Sequence, residues 1–344
     1  METCLIGLPA CGKTTIFNAL SGQQAGGYQQ LHLAEVEVPD PRVGRLAELF
    51  GKNKRVLADV LLKDLPLHFN DQGAVTGETL GELRLSDALT VVVRAFVDEA
   101  VPHPLGTIDP LRDLGKLLDS MVFSDYEIVE KRLERLDKEG KRGDREHALL
   151  SKIASRLEGS GAIGAEAIHE EENRLISGFQ FLTTKPMIVV INTGERLVDI
   201  EPVRRRAAEL GIDVFTIKGL QEMEISQLSP EDQREFLTDL GFETSARDRF
   251  LAALYNHLNL ISFLTVGDKE VRAWSIPKGA SAVQAAGKIH TDMQRGFIRA
   301  EVIEYGLLVE AGGFAEARKR GTLRLEGKEY EVQDGDVLSI RFNL

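Results

Sequence analysis

"GLPACGKT", residues 7–14, is a complete G-x-x-x-x-G-K-[ST] string set between a short apolar run, "METCLI" (1–6), and a helical pattern, "TTIFNALSG" (14–22). A strand before and a helix after are the context a phosphate-cradling loop requires. Glycines at 7 and 12 permit backbone angles that turn successive amide N–H groups inward, and the helix N-terminus adds its positive dipole. In such a loop the Lys13 ammonium reaches the β- and γ-phosphates and the Thr14 hydroxyl ligates Mg2+. The residues expected around the phosphates are therefore Gly7, Leu8, Pro9, Ala10, Cys11, Gly12, Lys13, Thr14 and Thr15, with Lys13 as the catalytic cation.

Moving outward, residues 1 to about 106 alternate apolar runs with helical patterns, as an α/β sheet does. "VLADVLLKDLP" (56–66) reads as a strand, and "ALTVVVRAF" (88–96) is a nearly continuous β-branched run of the kind buried on both faces of a parallel sheet. "PMIVVINTG" (186–194) has the same character, and "IDVFTIKG" (212–219) closes the set after the helix around "PVRRRAAELG". Between the two groups of strands lies a charged stretch from about Pro110 to Phe181 that reads helical. Its apolar residues recur at spacings of three and four: Leu111, Leu114, Leu117, Leu118 and Met121, then Ile128, Val129, Leu133 and Leu136, then Leu149, Leu150, Ile153 and Leu157. The polar break "DKEGKRGDRE" (137–146) suits the tip of a helical hairpin. This insert is either a self-packed element with solvated charged faces or an arm that touches a partner. From about Asn259 short strands and turns with a single helix, "SAVQAAGKIH" (281–290), suggest a small α+β domain.

The 344 residues, 43% hydrophobic and 28% charged, suffice for two or three compact domains. A formal net charge of −12 argues against wrapping a long stretch of nucleic acid, so any RNA contact is local and no DNA partner is expected. The only two cysteines, Cys4 and Cys11, form no disulfide framework. Cys4 reads as strand core and Cys11 as a variable loop position. No apolar run approaches the roughly 20 residues of a membrane span, and no signal-like segment opens the chain. The expectation is a cytoplasmic protein with no membrane contact.

A P-loop enzyme also needs an acid near Mg2+, a γ-phosphate sensor, a group that orients water and a pocket for the base. Asp64, at the end of "VLADVLLKD", stands where the Mg2+-side aspartate belongs. GTPase-type sites place a glycine three residues later as the γ-phosphate sensor; this chain has Leu67. Base reading is expected at "NTGE" (192–195). GTPases present N-K-x-D there, whose aspartate accepts two hydrogens from guanine; here Thr193 and the longer Glu195 weaken that reading. The Asn192 amide, which both donates and accepts, suits the amino and N7 edge of adenine equally well. A plain turn after a strand is the other reading of the tetrapeptide.

Several stretches together resemble the YchF/Obg-like ATPases, a branch of the translation-factor-related P-loop proteins. They are "GLPACGKTTIFNALSG", "VPDPRVGRLAEL", "TGETLGELRLSDAL", "FLTTKP" and "EFLTDLG", with "LISFLTVGDKEVRAWSIPKGASAVQAAGKIHTDMQRGFIRAEVI" and "RLEGKEYEVQDGDVLSIRFNL" at the C-terminus. The resemblance implies a GTPase-like α/β P-loop domain with a parallel sheet (1–109 and 182–258), an inserted helical coiled-coil arm (110–181) and a C-terminal α+β TGS domain with a curled sheet (259–344). It further implies ATP preferred over GTP through an N-x-x-E motif matched by Asn192 and Glu195, Mg2+ held by Thr14 and Asp64, and association with the ribosome or RNA through the TGS domain and the arm. The base pocket is then completed by Lys218, Gly219 and Leu220, where "KGLQE" departs from the family's small residues.

Two departures bear on turnover. The family's "DIAGLV" is replaced by "DLPLHF" (64–69), which keeps Asp64 and loses the glycine, and the segment "GGYQQLHLAEVEVPDPR" (26–42) has no Ser or Thr to serve as the first-switch threonine. Removing one well-aimed donor costs about 10²–10³ in rate, so hydrolysis is expected to be slow or vestigial. His68, just beyond, either orients a water or is an ordinary surface group. In the TGS domain Lys269, Arg272, Lys278, Lys288, Arg295, Arg299 and the cluster Arg318, Lys319, Arg320 are candidate phosphate contacts, with Trp274 and Phe297 as candidate stacking surfaces; a solvated mixed-charge sheet is the plainer reading. Three functions follow: an ATP-binding ribosome-associated regulator with slow hydrolysis, a non-catalytic scaffold with nucleotide as a structural ligand, and, disfavoured by "NTGE", a true GTPase.

Overall fold

A computed structural model describes the chain apart from residues 27–29, 67, 69–74, 76, 161–169, 240, 242–243 and 344. The elements in chain order are β1 (Glu2–Ile6), α1 (Lys13–Ser21), β2 (His32–Val38), α2 (Pro41–Leu49), β3 (Lys54–Val56), β4 (Ala58–Asp64), α3 (Gly77–Leu85) and β5 (Ala88–Ala95). Next come α4 (Pro110–Lys138), α5 (Arg145–Ser160), α6 (Glu170–Ile176), β6 (Met187–Thr193), α7 (Glu201–Glu209), β7 (Asp213–Ile217), α8 (Gly219–Ser226), α9 (Pro230–Asp239) and α10 (Ala246–His257). The last stretch holds β8 (Leu260–Val266), β9 (Glu270–Pro277), α11 (Ala282–Ile289), α12 (Thr291–Arg295), β10 (Phe297–Glu304), α13 (Tyr305–Ala311), α14 (Phe314–Lys319), β11 (Arg324–Glu326) and β12 (Asp336–Phe342).

The chain divides into two compact units. The larger comprises Glu2–Ala34 and Leu61–Arg247. Its sheet runs β2-β4-β1-β5-β6-β7, with β1 parallel to β4 and β5, β5 parallel to β6 and β6 parallel to β7. Every residue of β5 is buried, Thr90 and Arg94 included, as befits a nearly continuous apolar run inside a parallel sheet. Helices α4 and α7 cover the sheet: Leu114, Leu117 and Met121 from α4 and Val203 from α7 join Ile6, Leu89, Val91, Val189 and Ile191 in one core. The parallel sheet with crossover helices is the GTPase-like P-loop fold.

Within this unit α4 continues past the sheet and pairs with α5. Val129, Leu136, Leu149, Leu150, Ile153 and Leu157 form their shared core, so the three-and-four spacing marks the buried face, whereas Leu111 lies exposed. The hairpin turns between Lys138 and Arg145, inside the predicted polar break. A buried carboxylate fixes its base: Asp125 accepts from Arg84 Nη1 (2.7 Å), the Leu182 and Thr183 amides (3.1 and 2.8 Å) and Thr183 Oγ1 (2.9 Å). Four donors on one buried acid offset its desolvation.

The smaller unit comprises Met1, Glu35–Val60 and Asp248–Leu344. Its sheet runs β11-β10-β12-β8-β9-β3, mixed in direction, with β12 parallel to β8 and β3 parallel to β9. α2 and β3 pack here: β3 adds to the edge at β9, and the apolar face of α2 (Val43, Leu46, Ala47) packs with Leu264, Val271 and Ala273. The sequence reading assigned them to the nucleotide domain. It also read 56–66 as one strand, which the structure interrupts at Leu57, and it named a single C-terminal helix where α11 is followed by α12, α13 and α14. The run "YGLLVEA" (305–311) forms α13, closed by Gly312 at φ +72°, with Leu308 and Ala311 buried in the core that α2 shares.

Candidate functional site

The loop from Gly7 to Gly12 joins β1 to α1 at the C-terminal edge of the parallel sheet, where α/β folds bind ligands. Its two glycines serve different needs. Gly12 takes φ +83°, a left-handed conformation, while Gly7 is required by space: a Cβ there would lie 2.5 Å from Cys11 Sγ and 2.6 Å from the Val92 carbonyl oxygen. Ala10 also adopts a left-handed φ of 63°, a strained conformation for a residue with a Cβ.

On the metal side, Lys13 Nζ donates to Asp64 Oδ1 and to the Leu65 carbonyl, so the ammonium is folded onto the end of β4. Thr14 Oγ1 donates to Asp64 Oδ2 at 2.8 Å. The structure therefore brings the expected pair Thr14 and Asp64 into contact, with Asp64 only 1% exposed. A hydroxyl beside a carboxylate is a donor set that suits a hard divalent ion such as Mg2+, with phosphate oxygens and water completing the shell. Among the described residues no group of three His, Cys, Asp or Glu side chains forms a cage able to hold a metal without such help. A residue absent from the sequence reading joins this cluster: His32 Nδ1 lies 3.1 Å from Asp64 Oδ2. No pattern in the sequence singles out His32, which opens the alternating strand β2.

On the base side, Asn192 sits at the end of β6, 3% exposed, and its amide bridges two loops. Nδ2 donates to the Cys11 carbonyl at 3.0 Å, and Oδ1 accepts from the Gly219 amide at 3.1 Å. One N–H and one lone pair of the amide remain for a ligand. Gly219 is confined by the same side chain: a Cβ would meet Asn192 Oδ1 and Ile16 Cδ1, each at 2.6 Å. Glu195, Lys218 and Leu220 are exposed around this bridge. Phe96, also missed from sequence, lies half-buried between the P-loop and "NTGE", 3.5 Å from where a Gly12 Cβ would stand and 2.9 Å from a Gly194 Cβ.

Behind the loop lies Arg94, 1% exposed at the end of β5. Its guanidinium donates to the carbonyls of Ala10 (3.1 Å), Phe96 (3.1 Å), Asp98 (3.4 Å) and Val101 (2.8 Å) and stacks 4.4 Å from the Phe96 ring centre. Among the described residues it pairs with no carboxylate. A charge held by carbonyl dipoles alone leaves positive potential at the back of the P-loop and fixes Ala10 in its strained conformation. The signal in the sequence was a lone arginine in an otherwise apolar strand. Farther along the same loop, buried His103 accepts the Leu105 amide on Nδ1 (3.1 Å) and donates from Nε2 to Asp113 (2.8 Å), which Arg112 also grips.

Other readings resolve individually. Cys11 is buried, and burial pushes its thiol up to about 12; Cys4 is buried in β1, its thiol up to about 11. Neither is poised as a thiolate. His68 is exposed, while Leu67 lies outside the described residues. Phe297 is 5% exposed in the core of the smaller unit and offers no stacking face, which corrects that expectation. Trp274 is partly buried, its Nε1 bonded to Thr265 Oγ1 at 3.0 Å and its face covered by Arg272. Several candidate phosphate contacts carry acidic partners: Arg318 with Glu301 (3.0 Å), and Lys319 and Arg320 with Glu316 (3.7 and 3.3 Å). Among the described residues no helix is long and apolar enough to cross a membrane.

Against known proteins, residues 260–343 match the family model YchF-GTPase_C, described as a protein of unknown function. The chain is 37% identical over 362 residues to the ribosome-binding ATPase YchF of Bacillus subtilis, with 99% of this chain and 98% of that one covered. To the protein of the same name from Haemophilus influenzae it is 38% identical over 359 residues at the same coverage. The solved structure of the Schizosaccharomyces pombe YchF GTPase superposes with a TM-score of 0.85 at 27% identity, covering 99% of this chain and 97% of the other.

Proposed function

The chain belongs to the YchF family of ribosome-binding ATPases, and from that premise we propose that it binds ATP in preference to GTP, associates with the ribosome and hydrolyses its nucleotide slowly. The observation that carries this reading is the Asn192 bridge, which joins the P-loop at Cys11 to the loop at Gly219 and leaves one donor and one acceptor free. That pair matches the N7 acceptor and amino donor of adenine; the N7 and O6 of guanine are both acceptors. Gly7 to Thr15 hold the phosphates, with Glu195, Lys218, Gly219 and Leu220 around the base.

Lys13 exchanges its place on Asp64 for phosphate oxygens, and Thr14 and Asp64 hold Mg2+, which when bound neutralises charge on the β- and γ-phosphates. The buried Arg94 adds a fixed positive charge behind the loop without occupying it. Slow turnover follows from the sequence after Asp64, which has no glycine three residues on, and from the Ser- and Thr-free stretch 26–42. The helical arm and the C-terminal domain are the surfaces assigned to the ribosome or its RNA. Mixed charge around Arg318, Lys319 and Arg320 favours a small, local contact there.

A single-turnover assay with ATP and GTP at saturating enzyme, with and without ribosomes, tests the proposal. The expected result is slow ATP cleavage that disappears in Lys13→Ala and rises with ribosomes. Faster cleavage of GTP would contradict it, and tight ATP binding with no cleavage under either condition would leave a nucleotide-dependent scaffold.

A further inference from the structure

The helical arm carries a groove that its own core leaves unfilled. It lies where the first half of α4 meets the C-terminal end of α5, has a volume of about 340 Å³ and is lined by Asp119, Val122, Phe123, Tyr126, Leu157 and Glu158. Leu157 is buried, and Val122 and Tyr126 lean on the core that the two helices share, so the floor is apolar. Phe123 stands outside that core and is 60% exposed. An aromatic ring in water beside a concave apolar floor has the form of an anchor for another protein.

The rim of the groove has one sign. Asp119 is exposed one turn before Phe123 on α4, and Glu158 stands on the opposite wall, on α5. Tyr126 Oη lies within hydrogen-bonding distance of two carboxylates, Glu158 at 2.7 Å and Glu130 at 3.1 Å. A phenol has a single hydrogen to give, so two negative charges share one neutral donor. Their hydrogen bonds, that of Glu158 first, raise the tyrosine's pKa above its ordinary value. Glu127, one turn beyond Phe123, pairs with Lys131 at 3.4 Å. Among the described residues no lysine or arginine lines the groove; Lys116 and Arg156, close by in sequence, lie outside its lining.

We propose that this groove docks a basic protein segment, in which an apolar side chain enters beside Phe123 and flanking lysines or arginines meet Asp119, Glu158 and Glu130. The apolar anchor supplies affinity, and the acidic rim steers and selects the partner. RNA phosphates would face the same carboxylates, like charge against like, and forfeit the electrostatic attraction on which nucleic-acid binding depends. The inference rests on the ribosome association proposed above and narrows it: at this part of the arm the contact is with a ribosomal protein.

The test uses the full chain with purified ribosomes. The double variant Asp119→Asn, Glu158→Gln separates the two kinds of partner by sign, and the glutamine amide oxygen still accepts from Tyr126 Oη. Ribosome affinity in a sedimentation titration is expected to fall about fivefold, as the loss of two exposed charge pairs gives. A rise would mark a nucleic-acid contact and overturn the inference. Phe123→Ala is expected to weaken ribosome binding at least about tenfold, with ADP affinity and melting temperature unchanged. With the photo-crosslinker p-benzoylphenylalanine in place of Phe123, illumination on the ribosome is expected to join the arm to a protein segment rich in lysine and arginine. Crosslinks confined to RNA, or wild-type binding by both variants, would overturn the inference and leave ribosome association standing. Failure of the unsubstituted chain to sediment with ribosomes would overturn that association and this inference together.

Discussion

On the base side of the P-loop the polar groups are committed to the protein: Asn192 spans Cys11 and Gly219, and Arg94 ties Ala10 to three carbonyls of the following loop. On the metal side Lys13, Thr14 and His32 all converge on one buried carboxylate, Asp64. The first arrangement is a frame, since each bond it makes would leave a buried group unpaired if broken. The second is a set of partners that a phosphate and a cation exchange among, since each donor there has a function that the carboxylate only holds in place. Substitutions on the two sides should therefore separate stability from ligand affinity.

The largest effect is expected from Arg94→Met. Four carbonyls lose their shared donor and Ala10 loses its clamp, so urea denaturation should show a loss of about 3–5 kcal/mol. A loss under 1 kcal/mol would show that the buried guanidinium is not part of the frame. Lys13→Ala comes next and should behave in the opposite sense, lowering ADP affinity by about 100-fold, as loss of a charged hydrogen bond does, with little change in melting temperature. If that variant lost stability and kept its affinity, the division between the two sides would collapse. Asn192→Ala leaves the Cys11 carbonyl and the Gly219 amide unpaired and should cost about 2 kcal/mol of stability.

Much of this site was legible in residues. The P-loop string, the largely apolar strands β5 and β6 and the period of the arm helices are local patterns, and each element stands where its pattern put it. Asp64 and Asn192 were found from their place at strand ends. His32 and Arg94 belong to contacts that separate the partners by 32 and 84 positions in sequence, and no local period records such a pairing. The Asn192 amide was assigned to the base, while its two bonds to the protein depend on Gly219, whose close approach only the folded chain reveals. The same holds for β3, whose place in the smaller unit is decided by its pairing with β9.

The smallest expected effect concerns Cys11, which lies in the frame. Its folded thiol is pushed up to about 12 by burial, against an ordinary 9.0. The raised value contributes stability that is fully present below pH 9 and is lost as pH rises from there toward 12, because the unfolded chain ionises first. Relative to Cys11→Ala, wild type should lose on the order of 1 kcal/mol between pH 7 and pH 10 in urea titrations. An unchanged difference would place the thiol in water and loosen the frame at its centre.

The account stands most directly on the base. Competition of unlabelled ADP and GDP against a fluorescent ADP, on the full chain with Mg2+, is expected to show ADP binding at least about tenfold more tightly, the discrimination that one well-placed hydrogen-bonding pair supplies. GDP binding as tightly as ADP, or more so, would contradict it.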